Sequence, residues 1–142
     1  MIVSAYNSGF HWGIAPGVVF AGGETAFALG LRFGYGFDTG SVILVPGIGL
    51  TGIFTDPNVF MGIPELRVVY PIDRFAPFVM GGAGVGAITG SAGKTGLAWM
   101  AGGGFMFHFS EMFALGAFGS YTAIAGTDFH GVSVGPILAI AF

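Results

Sequence analysis

The chain has 142 residues, 54% of them hydrophobic and only 8% charged, with 28 glycines, no cysteine and a net charge of −3. A soluble domain carries about 25% charged residues, so a mean hydropathy of +0.83 excludes an ordinary water-facing surface and points to lipid. The missing cysteines exclude disulfides and thiolate metal sites, and the acidic balance offers no electrostatic case for nucleic acid.

The opening MIVSAYNSGFHWG has neither the basic start nor the apolar run and small-residue cleavage site of a secretory signal. Residues 1–9 are read as an N-terminal extension of a mature chain, and residues 10–142 as one domain. In HWGIAPGVVFA the set Trp12, Ile14, Pro16, Val18 and Phe20 opposes His11, Gly13, Ala15, Gly17 and Val19. The next segment, TAFALGLRFGYGFD, separates Phe27, Leu29, Leu31, Phe33, Tyr35 and Phe37 from Ala26, Ala28, Gly30, Arg32, Gly34 and Gly36. One face carries the bulk, and the other is nearly bare with one arginine at its middle. The same period of two recurs in LAWMAGGGFMFHF and VSVGPILAIAF and is ambiguous around 75–88.

Turn signals separate these segments at 22–24, 38–40, 55–58, 71–74, 90–96, 110–111 and 126–128. Seven turns make eight strands. Spanning helices would need about 20 uninterrupted apolar residues, and Gly or Pro interrupts every candidate here. Glu24, Asp38, Asp56, Asp73, Arg74, Lys94, Glu111 and Asp128 put a charge in every turn, leaving Arg32, Glu65 and Arg67 inside strands. A charge on the lipid face in mid-strand costs about 2–4 kcal/mol, so this partition marks membrane-crossing strands. An open sheet edge in hydrocarbon leaves backbone groups unpaired, so the sheet must close. The predicted fold is all-β: an eight-stranded antiparallel up-and-down transmembrane β-barrel with short connections.

With this strand count, the segment YPIDRFAPFVMGGAGVG and the terminal Phe142 ending an alternating strand, residues 10–142 resemble the small eight-stranded outer-membrane barrels of Gram-negative bacteria, the OmpA and OmpX kind. The resemblance implies a porin-like membrane protein of the bacterial outer membrane. It also implies that Phe142 and its strand are read by the outer-membrane assembly machinery. The chain departs from the family in its loops, none exceeding about eight residues. A loop-trimmed or designed scaffold without native activity is therefore a further reading.

Arg32 points inward by strand parity; Glu65 and Arg67, two residues apart, share the face opposite Phe60, Leu66, Val68 and Tyr70. Only Gly47 and Gly49 of the intervening strand stand at that level, leaving space for the charges to meet. The cluster is either a polar gate across a narrow pore or a structural salt bridge, and a lumen lined by Gly and Ala leaves either a continuous passage or an apolar cavity. His11 and His108 face inward near the terminal end and extend the network; their spacing makes no metal site. Trp12, Tyr35, Phe37, Tyr70, Phe107, Phe109 and Phe142, with Phe10, Phe75 and Phe113, form an aromatic belt at one membrane interface.

GSAGKTG has Ile88 where a phosphate-binding loop needs its first glycine, and a strand-like segment follows it. His130 and Ser133 with Asp128 form a Ser/His/acid grouping close in sequence, but three residues apart His130 and Ser133 lie on opposite faces of a strand. A lipid-modifying enzyme is the remaining alternative, and the expectation is no catalysis, no cofactor and a monomer in the lipid bilayer.

Overall fold

The computed structural model describes residues 9–21, 23–54, 58–89, 94–110, 112–125 and 130–141. Eight long strands follow one another: β1 (Phe10–Ala21), β2 (Glu24–Tyr35), β3 (Ile43–Phe54), β4 (Val59–Val69), β5 (Phe75–Ile88), β6 (Lys94–His108), β7 (Phe113–Ile124) and β8 (His130–Ala141). Past Gly36, β2 continues as Phe37–Asp38 and keeps its register on β3. Each strand pairs antiparallel with the next, and β8 pairs with β1, so the sheet closes. The interval 75–88, ambiguous in sequence, is one continuous strand. Residues 1–8 and Phe142 lie outside the described residues, with Asp56, Glu111 and Asp128.

The register sets the barrel's size. From His11 the ladder passes through Gly34, Gly47, Glu65, Gly82, Met100, Thr122 and Gly131 and returns to β1 near Ala21, a stagger of about ten residues. Eight strands staggered in this way tilt by about 35–45° and enclose a space that side chains can fill.

They do fill it. Alternation sends Val45, Ile63, Phe78, Met80, Met100 and Met106 inward with Ile43, Ile53, Val59 and Ile124, and these make one buried core. The lumen is therefore not the bare passage that the glycines of β2 suggest. Its glycines serve close approach instead. A Cβ on Gly82 would lie 2.3 Å from the Pro64 carbonyl oxygen, and one on Gly116 only 1.9 Å from that of Phe105. Those positions have no space for a side chain, whereas Met and Phe bridge the centre from neighbouring strands.

The reversal at 72–75 is tight. Asp73 takes a φ of 56° in the two-residue reversal closed by Ile72 and Phe75, whose backbone groups bond each other at 2.8 and 2.9 Å. Arg74 Nη1 donates to the Phe109 carbonyl at 3.0 Å, tying two neighbouring turns together at the terminal end.

Candidate functional site

Three strands place the polar centre. Arg32 of β2 pairs with Gly49 of β3, and Gly47 of β3 pairs with Glu65 of β4. Arg32 Nη1 donates to Glu65 Oε2 across the top of β3. Glycine at 49 leaves the space that the bridge crosses. A Cβ there would stand 2.8 Å from Arg32 Nη1 and 3.1 Å from Glu65 Oε2. Both side chains are largely buried, at 11% and 6% exposure. The Arg32 guanidinium also lies 4.9 Å above the ring of Phe118, which contributes cation–π attraction from the opposite wall.

Arg67 belongs to a second pair, one step nearer the terminal end. Its Nη2 donates to His11 Nε2 at 2.6 Å, so that ring nitrogen is the acceptor, and its guanidinium lies 5.5 Å over Phe78. His108 is buried at the same end, on β6. Arg32, Glu65 and Arg67 thus divide into an ion pair and an arginine–histidine contact, while Glu24, Asp38 and Lys94, expected in turns, stand at strand ends. Among the described residues, no group of three or more His, Asp or Glu gathers as a metal site.

Two lumen cavities meet at the ion pair. One, of about 50 Å³, lies on the distal side and is lined by Thr51, Ser120, Thr122 and Ser133 among apolar groups. The other, of about 20 Å³, lies on the terminal side against His11, Arg67 and Ile137. Arg32 and Glu65 line both, so the pair is the partition between them. Together they hold at most a few waters.

No protein-family model matches the chain, and no curated protein sequence matches it. Solved structures do. The outer membrane enzyme PagL aligns with a TM-score of 0.67 at 18% identity, over 92% of this chain and 99% of PagL. Ail, the attachment invasion locus protein of Yersinia pestis, gives 0.65 at 16% identity, over 93% of this chain and 95% of Ail. Neisserial surface protein A gives 0.62 at 11%, over 94% and 96%. The chain has the fold of the small bacterial outer-membrane barrels. At these identities the likeness carries the fold alone, and the neighbours' differing descriptions assign no role to this barrel.

The barrel's outer face carries the expected aromatics at the terminal end. Phe10, Tyr35, Phe37, Tyr70, Phe75, Phe107, Phe109 and Phe113 are exposed there, and Trp12 is half-buried on the same face. Phe10 pairs with Tyr35 and Phe75 with Phe107, while the rings of Tyr35 and Phe37 lie 5.1 Å apart. A second belt, missed in the sequence reading, rings the distal end with Phe20, Phe27, Phe54, Phe60, Trp99 and Tyr121. Phe27 stacks on Phe54 at 6.0 Å, and Trp99 meets Tyr121 at 5.3 Å. The signal was available: Phe10 and Phe20, Phe27 and Phe37, Phe60 and Tyr70, and Trp99 and Phe109 are each ten residues apart on one strand face. At about 3.3 Å per residue and a tilt near 40°, that spacing spans about 25 Å along the barrel axis, the height of the apolar band of an outer-membrane barrel.

Other sequence candidates separate. Ser133 Oγ faces the lumen and bonds Ser120 Oγ at 2.8 Å, while His130 stands on the outer face with its ring 6.3 Å from that of Tyr121. Lys94 opens a strand, so GSAGKTG has no helix behind it. Phe118 and Phe78, the rings under the two arginines, were also missed in sequence. Parity along FALGAFGSYTAI places Phe118 inward with Ser120 and Thr122.

Proposed function

We propose that this barrel is an integral protein of the bacterial outer membrane whose lumen is a structural core closed by the Arg32–Glu65 pair. The observation that carries the reading is the pair's position between two cavities of about 50 and 20 Å³, within a lumen otherwise filled by Met, Ile and Phe. Ion conduction needs continuous water, and a hydrogen-bonded ion pair in a low-dielectric core holds register and excludes it. The two aromatic belts support the membrane placement.

Conductance of the refolded protein in a planar bilayer, beside Arg32→Ala and Glu65→Ala, tests the closure. Silence in all three supports a structural core. Discrete steps that change with either substitution overturn it in favour of a narrow pore gated by the pair. The same reading makes the barrel non-catalytic, supported by the placement of Ser133 and His130 on opposite sides of the wall. Hydrolysis of lipid A or phospholipid that disappears in Ser133→Ala would replace it with the enzymatic alternative.

A further inference from the structure

β1 and β8 close the barrel, and their ladder has a gap. Pairing runs from His11↔Ala141 to Ile14↔Leu138 and resumes at Val18↔Val134. Ala15, Pro16 and Gly17 lie opposite Ile137, Pro136 and Gly135 without a rung. The other side of β1 is unbroken, from Phe10↔Tyr35 to Ala21↔Glu24. The register sets Pro16 directly against Pro136. Proline has no N–H to donate, so neither residue can supply a rung from its own backbone nitrogen. Contact there depends on glycine. A Cβ on Gly135 would lie 2.3 Å from the Pro16 carbonyl oxygen, and one on Gly17 2.7 Å from that of Val134. Packing, in place of hydrogen bonds, holds this stretch shut.

The larger lumen cavity lies directly behind the gap, against Ala15, Pro16, Gly17, Ser133, Val134 and Gly135. Pro16 and Val134 belong to the lipid-facing set, so the cavity reaches into the wall at the seam. Its polar groups are largely engaged with one another, Ser120 with Ser133 and Arg32 with Glu65. What remains toward the space is mostly apolar, including Met61, Ile63, Met100 and Phe118. Pro16 stands six residues from Phe10 and four from Phe20, between the two belts and near the bilayer midplane. Lipid chains end at that depth, and water is scarce there.

We propose that the Pro16–Pro136 seam is a lateral portal through which the terminal segment of a lipid acyl chain enters the lumen cavity. The proposal rests on the membrane placement argued above. The small cavity suits a chain end and excludes a headgroup. Opening the wall at these rungs breaks no hydrogen bond between β1 and β8, unlike opening at any neighbouring rung.

The test is photo-crosslinking in vesicles of phosphatidylcholine bearing a diazirine at the chain terminus, with adducts mapped by mass spectrometry. Expected are adducts at lumen-facing Ser133, Ser120 or Met100 in addition to the outer residues Val18, Val134 and Leu138. Pro16→Ala/Pro136→Ala restores two donors to the seam and should lower the lumen adducts about tenfold, the effect of one or two net hydrogen bonds on the open population. Because the chain has no cysteine, Pro16→Cys/Pro136→Cys offers a second and stronger closure, a cross-strand disulfide added to the same two restored donors. Adducts confined to outer residues overturn the portal and leave the membrane reading intact. Adducts at neither face overturn both. Lumen adducts that persist in the oxidised cysteine pair, or that are unchanged by the alanine pair, also overturn the portal.

Discussion

Both faces of this sheet are apolar, yet they follow opposite rules. The lumen face is assembled by contact: Gly49 leaves room for an ion pair, Gly116 admits a neighbouring carbonyl, and Met and Phe fill the centre. The lipid face is assembled by exposure: Phe27, Leu50, Val79 and Leu138 present bulk to a fluid that conforms to them. Hydrophobicity alone cannot distinguish the two. What separates them is their tolerance, since one face rejects added volume and the other rejects added charge.

Five variants sharpen that contrast, and all are read by urea titration of the barrel folded in lipid vesicles. Glu65→Ala should have the largest effect, about 3–5 kcal/mol of destabilisation, because it leaves Arg32 charged in the core without its carboxylate. Arg32→Met/Glu65→Leu should recover most of that loss, since an apolar pair of similar size needs no compensation. Leu50→Arg, on the lipid face near mid-strand, should cost about 2–4 kcal/mol. In a water-facing barrel the same change would be neutral or favourable, so a null result would break the membrane assignment.

A smaller contrast separates two glycines that face opposite ways. Gly116→Ala should destabilise by about 1–3 kcal/mol, the usual cost of overpacking, because its Cβ would overlap the Phe105 carbonyl. Gly62→Ala should change stability by less than about 0.5 kcal/mol, as is usual for surface positions. The nearest atom to its Cβ is Leu50 Cδ2 at 3.6 Å, an ordinary contact. Equal effects at both glycines would mean that the two faces are not distinguished by packing.

Much of this was legible along the chain. Period-two alternation marks which residues share a face because a strand points successive side chains to opposite sides. Charges at the turns mark where the chain leaves the membrane. The belts follow from aromatic pairs ten residues apart, a local spacing overlooked only at the distal end. Arg32, Glu65, Gly47 and Gly49 could be placed at one level because β2, β3 and β4 are consecutive and joined by short turns.

The filling of the lumen could not be read from any one strand. In β2 the inward face is bare, and Phe78, Met100 and Phe118, which occupy the space it leaves, come from β5, β6 and β7. Arg67's choice of His11 over Glu65 likewise depends on β1 lying near β4 across the lumen. The sequence by itself determined the eight-strand pattern and which residues share a face, with only 75–88 left ambiguous, because each depends on residues close together in the chain. Only the tertiary structure decided how the lumen is filled and that Pro16 faces Pro136. Those depend on the stagger at which the sheet closes, a property of all eight strands together.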